Sequence, residues 1–263
     1  MMKIEYPGFD AAYSLHNHSN FSDGCDSLED MVKTAKENGI KVFGISDHWC
    51  KVPYDGTDYA EWCMKHEKLD EYVAELLRLK KKYDDENFEL KLGLEVEYFF
   101  ENIKEVMAEL TKYPFDYFIG SVHYADTFPI DHDIADWIGL GEFEKDKICK
   151  TYWQKIAGAA DCGYFTFIGH LDLPKKFAFI DENKYFPDAV KVLDIIAARN
   201  GAIEVNTAGK FKNCASAYPS LKILEEANKR RIPVVISADA HAKEHLNRAF
   251  AEIGELLKQA KYI

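Results

Sequence analysis

The sequence lacks the features of a secreted or membrane-inserted chain. No stretch approaches the length of a transmembrane helix, and the chain starts with MMKIEYPGFDAAYSLHNH, which has neither a basic segment nor a continuous apolar run. The six cysteines form no CxxC pair and follow no regular spacing, so neither a zinc ribbon nor a disulfide framework is indicated. These absences predict a cytoplasmic protein whose thiols are reduced.

The chain is also poor in positive charge. It has 33 Lys and Arg residues against 45 Asp and Glu residues, which gives a formal net charge of -12. This balance argues against a nucleic-acid or anionic-membrane partner, because either would need a basic face. A small anionic substrate remains compatible with it, since a local group of cations outweighs distant surface charge.

No Pro/Gly/Ser-rich linker and no low-complexity segment divides the 263 residues, so residues 1–263 are predicted to form a single domain. Short apolar runs alternate with longer amphipathic stretches, a pattern typical of βα units on a parallel sheet. No coiled-coil or dimer signature indicates an oligomeric state. The runs predicted as strands are Ala12 to His16, Lys41 to Ser46, Glu89 to Val96, Asp116 to Val122, Phe165 to Gly169, Ala202 to Asn206 and Pro233 to Ser237.

Helices are predicted between these strands from apolar periodicity and from boundary residues. Seven βα units in one domain-sized chain favour a closed or nearly closed barrel, and a doubly wound open sheet is the alternative. The predicted helices run from Ser27 to Asn38-Gly39, Tyr59 to Tyr83, Asn102 to Leu110, Glu142 to Asp161, Pro187 to Arg199, Leu221 to Arg230 and Ala242 to Ala260.

Histidines and carboxylates follow the predicted strands, where parallel α/β folds gather their sites. Six of the nine histidines come directly after an apolar run. His16 and His18 are two residues apart, so their rings point to the same face of a strand and can reach one ion. The candidate metal ligands are His16, His18, Asp23, His48, Glu95, His123, His170, Asp239 and His241. This set is too large for one ion and suits three, with about three or four protein ligands each.

Six short strings resemble, in order along nearly the whole chain, the motifs of the PHP superfamily: HNHSNFSDG, ISDHW, GLEVEYF, GSVHY, GHLDL and SADAH. The resemblance implies a distorted (β/α)7 TIM-like barrel with a site for three divalent ions, zinc, iron or manganese, at the C-terminal ends of the strands. It also implies three ligand sets, with Glu95 shared by two ions: His16, His18, Glu95 and Asp239; Glu95, His123 and His170; Asp23, His48 and His241.

Further strings are similar to the monofunctional histidinol-phosphate phosphatases of this superfamily: PIDHD, GHLDLPKKF, EVNTAG and YPS. This similarity implies metal-dependent hydrolysis of L-histidinol phosphate to L-histidinol and phosphate in histidine biosynthesis, by attack of water activated between two ions. Two alternatives stay open. One is a PHP phosphoesterase that acts on another small phosphate ester or a nucleotide, and the other is a non-catalytic metal-binding accessory module.

The chain departs from this pattern where phosphate-binding arginines are expected. After GHLDL it has Lys175 and Lys176, and after NTAG it has Lys210 and Lys212. Lysine neutralises phosphate as a point charge and lacks the two-pronged fork of arginine. We predict Lys176, Lys210 and Lys212 as phosphate contacts, which leaves the substrate less specified than the reaction class.

The catalytic roles follow from the predicted metal site. Glu95 and Asp239 are expected to act through the ions that they hold. The leaving alkoxide needs a proton, and the substrate amine needs a partner. Asp131, His132 and Asp172 are the candidates for these two tasks, and the sequence does not rank them.

Some other polar residues have weaker claims. Glu97 is interpreted either as a partner that orients a ligand histidine or as a carboxylate at the rim. His66 and His245 are predicted to lie on helix surfaces.

Overall fold

The structure, a computed structural model, describes residues 2–8, 12–54 and 60–263. Its centre is a nearly closed ring of seven parallel strands, each paired with the next one along the chain. All seven predicted strands are confirmed, most of them shorter than predicted. They are β1 (Tyr13–Ser14), β2 (Val42–Ile45), β3 (Glu89–Glu97), β4 (Tyr117–Ser121), β5 (Phe167–Ile168), β6 (Ile203–Asn206) and β7 (Val234–Ser237).

The first and last strands meet just beyond their carboxyl ends. Asn17 and Ala240 form a parallel bridge, and the His18 N–H donates to the Ala240 carbonyl oxygen at 2.8 Å. This closure decides between the two predicted architectures in favour of the barrel. It also places the residues that follow β1 beside those that follow β7.

Seven α-helices accompany the strands in the described part of the chain. They are α1 (Leu28–Glu37), α2 (Leu69–Tyr83), α3 (Ile103–Leu110), α4 (Glu142–Asp161), α5 (Glu182–Ala198), α6 (Leu221–Lys229) and α7 (Phe250–Gln259). The predicted boundaries of α1 are confirmed, because the Ser27 hydroxyl accepts the Asp30 N–H at 3.1 Å and Gly39 follows the helix with φ 77°. The bounds of α4 are those predicted.

Two predicted helix starts are wrong. α5 begins at Glu182 rather than at Pro187. The Asp181 carboxylate accepts the Asn183 N–H at 3.0 Å and so caps the helix at this earlier position. α2 begins at Leu69, after a short 3-10 turn that contains His66. The predicted start of that helix at Tyr59 lies outside the described residues.

The predicted last helix is also wrong in its first half. Residues from Ala242 onward form a 3-10 turn at Lys243–His245, and α7 begins only after Ala249, which has a left-handed φ of 60°. The break removes His245 from a helix surface and places it in a turn at the carboxyl end of the barrel.

Apolar side chains fill the barrel interior, among them Leu15, Ile119 and Phe167 around the buried Tyr117. The Tyr117 hydroxyl donates to the Leu15 carbonyl oxygen at 2.5 Å. A larger apolar core lies between the strands and the helices. This packed interior supports the carboxyl end, where the polar residues gather. No helix of the described residues combines the length and apolar character that crossing a membrane requires.

Candidate metal centre

The predicted ligands converge at the carboxyl end of the barrel. Their side-chain atoms form four overlapping groups, and the ligand atoms of each group lie within 4.8 Å of one another. The groups are His18, Asp23, His48 and His241; His16, His18 and Glu95; His16, His170 and Asp239; His48, Glu95 and His123. All nine predicted ligands belong to at least one group, because each follows or ends a strand at the same rim.

Glu95, in β3, lies at the centre of the cluster and is 1% exposed. Its Oε1 is 2.9 Å from His170 Nε2 and 3.5 Å from His123 Nε2. Its Oε2 is 2.7 Å from His48 Nδ1 and 3.2 Å from His16 Nε2. With imidazoles against both oxygens, this carboxylate is placed where it could bridge two ions.

Asp239 connects the two ends of the ring. Its Oδ1 lies 3.2 Å from His18 Nε2, 3.6 Å from His16 Nε2 and 3.7 Å from His241 Nδ1. The backbone of Asp239 has φ 49°, a left-handed conformation that non-glycine residues adopt rarely and often at functional sites. The turn after β7 therefore holds this carboxylate against the histidines that follow β1.

Asp23 approaches from the loop after β1. Its Oδ1 is 3.3 Å from His241 Nε2 and 3.6 Å from His48 Nε2. This third group is the most open part of the cluster, since the side chains of Asp23 and His241 are 34% and 36% exposed.

The loop that carries Asp23 is held by Asp47. The Asp47 carboxylate accepts the Ser19 N–H at 2.8 Å, the Ser19 hydroxyl at 2.7 Å and the Ser22 hydroxyl at 2.5 Å. Burial raises the pKa of Asp47 to about 6, against these hydrogen bonds, which lower it. Asp47 thus holds the loop segment from Ser19 to Ser22, which lies between two predicted ligands.

Glu97 orients His123, as one of its two interpretations expected. Its Oε2 is 2.8 Å from His123 Nδ1 and accepts the His123 N–H at 2.9 Å. The Lys155 ammonium lies 3.7 Å from Glu97 Oε1. With Nδ1 engaged in this way, the Nε2 atom of His123 faces Glu95.

Glu204, in β6, has the same relationship to His16, and the sequence reasoning missed it. Its Oε1 lies 2.5 Å from His16 Nδ1 and also accepts the Ser237 hydroxyl, while its Oε2 accepts the His170 N–H at 2.7 Å. Glu204 is 0% exposed. A lone carboxylate inside an apolar strand was the signal that could have found it, because a buried charge needs a partner.

The chemistry of the cluster fits divalent cations. Buried polar atoms in proteins are normally hydrogen-bonded. Several here make no hydrogen bond of acceptable geometry among the described residues, although some lie close to one another: His16 Nε2, His18 Nδ1 and Nε2, His48 Nδ1, Glu95 Oε2 and His170 Nδ1. Converging imidazole and carboxylate atoms match the donor set of a zinc, iron or manganese site.

The electrostatics of the cluster point the same way. Burial, together with the neighbouring histidines, lowers the pKa of His18 to about 3, so its ring is neutral. Burial by itself raises the pKa of Glu95, but His16 and His48 outweigh it and hold the pKa well below its usual range. Burial also lowers the pKa of His123, yet Glu95 and Glu97 raise it to about 10. The carboxylates thus attract positive charge, which a bound cation would supply.

A cavity of about 440 Å³ opens beside the ligand cluster. Cationic, acidic and aromatic side chains line it, including Lys176, Lys212, Arg248, Asp131, His132, His245, Trp62, Tyr124 and Tyr218. A space of this size, lined by both polar groups and aromatic rings, suits a small polar ligand.

The three predicted phosphate contacts have different surroundings. Lys212 lines the cavity. Lys176 also lines it, and its ammonium contacts Asp131 through the backbone oxygen at 2.5 Å and through Oδ2 at 3.1 Å. Lys210 instead forms an ion pair with Glu252 and is not among the cavity-lining residues.

The candidates for proton donation and for contact with the substrate amine also differ in their position relative to the cavity. Asp131 and His132 line the cavity. Asp172 lies behind it, where its Oδ2 accepts the Ser220 N–H and pairs with the Lys175 ammonium, both at 2.9 Å. Asp172 therefore links the loops that follow β5 and β6.

Comparison with known proteins shows the family of the chain. Residues 14–208 match the model of the PHP domain family. The chain belongs to the PHP domain family. A PHP relative from Deinococcus radiodurans is 33% identical over 225 residues, covering 85% of this chain and 83% of the relative. One from Schizosaccharomyces pombe is 28% identical over 246 residues, covering 86% and 80%. Both carry the name "Probable histidinol-phosphatase".

A solved PHP structure has the same barrel. The histidinol phosphate phosphatase of Lactococcus lactis, crystallised with zinc, L-histidinol and phosphate, is similar to this chain with a TM-score of 0.79 and 19% sequence identity. The similarity covers 94% of this chain and 93% of that one. At this identity the likeness concerns the fold, and it confirms the predicted PHP barrel.

Proposed function

We propose that this PHP protein is a metal-dependent phosphomonoesterase that hydrolyses histidinol phosphate to histidinol and phosphate. The observation that carries the proposal is the convergence of buried, unpartnered imidazole and carboxylate atoms beside a cavity lined with cations and aromatic rings. The names of the PHP relatives and the ligands of the Lactococcus lactis structure support the choice of substrate.

Three divalent ions are the proposed cofactors. The proposed ligands are His16, His18, Glu95 and Asp239 for one ion; Glu95, His123 and His170 for a second; Asp23, His48 and His241 for the third. The contacts of Glu95 through both oxygens support its place between two ions. When bound, such ions activate water and neutralise the charge of a phosphate group.

The chain itself orients the ligand atoms. Glu204 and Glu97 lie against the Nδ1 atoms of His16 and His123, so the Nε2 atom of each ring faces the centre. These carboxylates hold the rings in place before substrate arrives, which lowers the cost of reorganisation during the reaction. Catalytic roles for Glu95 and Asp239 follow from the ions that they would hold.

The remaining tasks fall to the cavity wall. Burial raises the pKa of Asp131, but Lys176 and His123 outweigh it and leave the pKa below its ordinary value, so Asp131 is ionised and suits the substrate ammonium. The hydrogen bond that His132 Nδ1 donates to the Asp136 carboxylate raises the pKa of His132, which favours the protonated imidazole. His132 is therefore the proposed proton donor to the leaving alkoxide.

A substrate panel with metal-reconstituted protein tests the proposal. We expect kcat/KM for histidinol phosphate to exceed that for p-nitrophenyl phosphate and nucleoside monophosphates by about 100-fold or more, because the amine and imidazole gain contacts in the cavity. Equal kcat/KM values would contradict histidinol phosphate as the substrate and would indicate another phosphate ester. Elemental analysis should find bound metal that His123→Ala reduces, while the control His66→Ala, outside the four ligand groups, retains it. Activity without metal would contradict the mechanism.

A further inference from the structure

Arg248 lies in the turn between the 3-10 segment Lys243–His245 and α7, a region where the sequence predicted continuous helix. Its backbone N–H donates to the His245 carbonyl oxygen at 3.1 Å, within the turn at the carboxyl end of the barrel. There Arg248 lines the cavity beside the ligand cluster. Its guanidinium carbon lies 4.4 Å from the centroid of the Phe211 ring, which is the arrangement of a stacked arginine.

The guanidinium of Arg248 has donors to spare. Its Nε atom is buried and has no hydrogen-bond partner, and no carboxylate of the described ranges forms an ion pair with it within 4.0 Å. Arginines elsewhere behave differently, since Arg78 contacts Glu29 at 2.7 Å and Arg199 contacts Asp161 at 2.8 Å. A buried donor without an acceptor is costly, so Arg248 is placed for an acceptor that enters the cavity.

Arg248 belongs to a group of three cations that line the cavity. Lys176 and Lys212 line the cavity with it, and within the described chain Lys212 also has no ion-pair partner. Burial and the charges of Lys176 and Arg248 lower the pKa of Lys212, while Asp239 opposes that shift. Like charges gathered in a partly buried space repel one another unless an anion lies between them.

We propose that Arg248 holds the phosphate group of the substrate, with Lys212 beside it, and that Phe211 is a positioning residue that keeps the guanidinium plane facing the cavity. This inference rests on the proposed function. Lys176 and Lys210 occupy places where a phosphate-binding arginine was expected, and neither offers the two parallel donors that match a phosphate edge. Arg248 supplies that fork from a different part of the chain.

Binding of inorganic phosphate to the metal-loaded protein, measured by calorimetry, is the direct test, together with steady-state kinetics. We expect Arg248→Met to weaken phosphate binding and raise KM by about 10- to 100-fold, the effect of losing charged hydrogen bonds. Arg248→Lys should recover only part of this loss, because it restores the charge without the fork. Arg199→Met, which removes an arginine at the opposite end of the barrel, should change neither quantity.

Phe211 is tested separately. Phe211→Ala should raise KM by a smaller factor than Arg248→Met and leave kcat within about twofold, and Phe211→Tyr should restore KM, since an aromatic face again supports the guanidinium. A purely structural role would lower the melting temperature in parallel, and the aromatic replacement would not selectively restore KM.

Unchanged phosphate affinity in Arg248→Met, with wild-type metal content and melting temperature, would overturn the inference. If Arg248→Met unfolds or loses metal, Arg248→Lys and Phe211→Ala provide the test instead. Unchanged phosphate affinity in both of these variants would overturn the inference. The proposed function fails separately, when the wild-type protein hydrolyses no phosphomonoester. Loss of phosphate binding in Arg248→Met would then still support the anion site.

Discussion

The Glu204 Oε1 atom lies 2.5 Å from the Nδ1 atom of His16, and neither side chain is exposed to solvent. The contact joins β6 to the residue that follows β1, across 188 positions of sequence. Because Nδ1 is engaged, the Nε2 atom of His16 is directed at Glu95 and Asp239. A carboxylate outside the ligand set therefore determines which imidazole nitrogen can bind a metal.

Glu204→Gln is expected to weaken metal binding by about 10- to 100-fold, because the amide is a poorer acceptor and releases the ring of His16. Competition with a chromogenic chelator measures the affinity. Glu226→Gln, which removes a carboxylate paired with Lys229 and Arg230 on the surface, is the matched control. Equal affinity in Glu204→Gln and wild type would show that the contact serves folding alone.

Metal removal is expected to destabilise the protein. A ligand that binds only the folded state adds roughly 3 kcal/mol when present at about 100 times its dissociation constant, which corresponds to about 5–10 °C in a chain of this size. Chelator treatment should lower the melting temperature by that amount, and added zinc or manganese should restore it. His123→Ala should reduce the response. A melting temperature indifferent to metal would argue against the proposed centre.

The barrel interior tolerates no side chain at Gly93. A Cβ atom there would lie 2.2 Å from Tyr117 Cζ, so we expect Gly93→Ala to lower the free energy of unfolding by about 1–3 kcal/mol. Gly254→Ala, in α7 with nothing within 4 Å of the added Cβ, should be neutral or stabilising. Denaturant unfolding of both variants measures the difference. Adding Tyr117→Leu to Gly93→Ala should cost less than the sum of the single changes if the contact is the cause.

The surface carboxylate Glu29 should contribute to stability in a pH-dependent way. Lys82, Arg78 and Tyr83 lower its pKa from 4.5 to about 2. A depressed pKa gives stability that is present above the unfolded value and lost as pH falls from about 4.5 to 2. The melting temperatures of wild type and Glu29→Gln should differ at pH 6 and converge as pH falls toward 2. The difference should be small because the group is exposed and screened.

Substitutions of Asp131 and of His132 should change different kinetic constants. Asp131→Asn is expected to raise KM for histidinol phosphate with little change in kcat, because the substrate ammonium loses its partner. His132→Gln is expected to lower kcat by about 100-fold, because the leaving group loses its proton donor. A substrate with a good leaving group, such as p-nitrophenyl phosphate, should be much less affected by His132→Gln. The reverse pattern would exchange the two roles.

Local patterns predicted much of the fold. Strands buried on both faces are rich in apolar residues, so all seven could be identified from short apolar runs, and the caps at Ser27 and Gly39 identified α1. The predicted helix over residues 242–260 failed because a left-handed residue at Ala249 breaks it, and alanine carries no sequence signal for that conformation.

By itself, the sequence determined which residues stand at the carboxyl ends of the strands, and therefore which imidazoles and carboxylates share one rim. Only the tertiary structure decided which of them touch. Closure of the ring brings His18 against Asp239 and His16 against Glu204, and the broken last helix turns Arg248 into the cavity. The position at which each strand ends is a local property of an alternating chain, whereas contacts across the barrel depend on how every strand pairs with its neighbours.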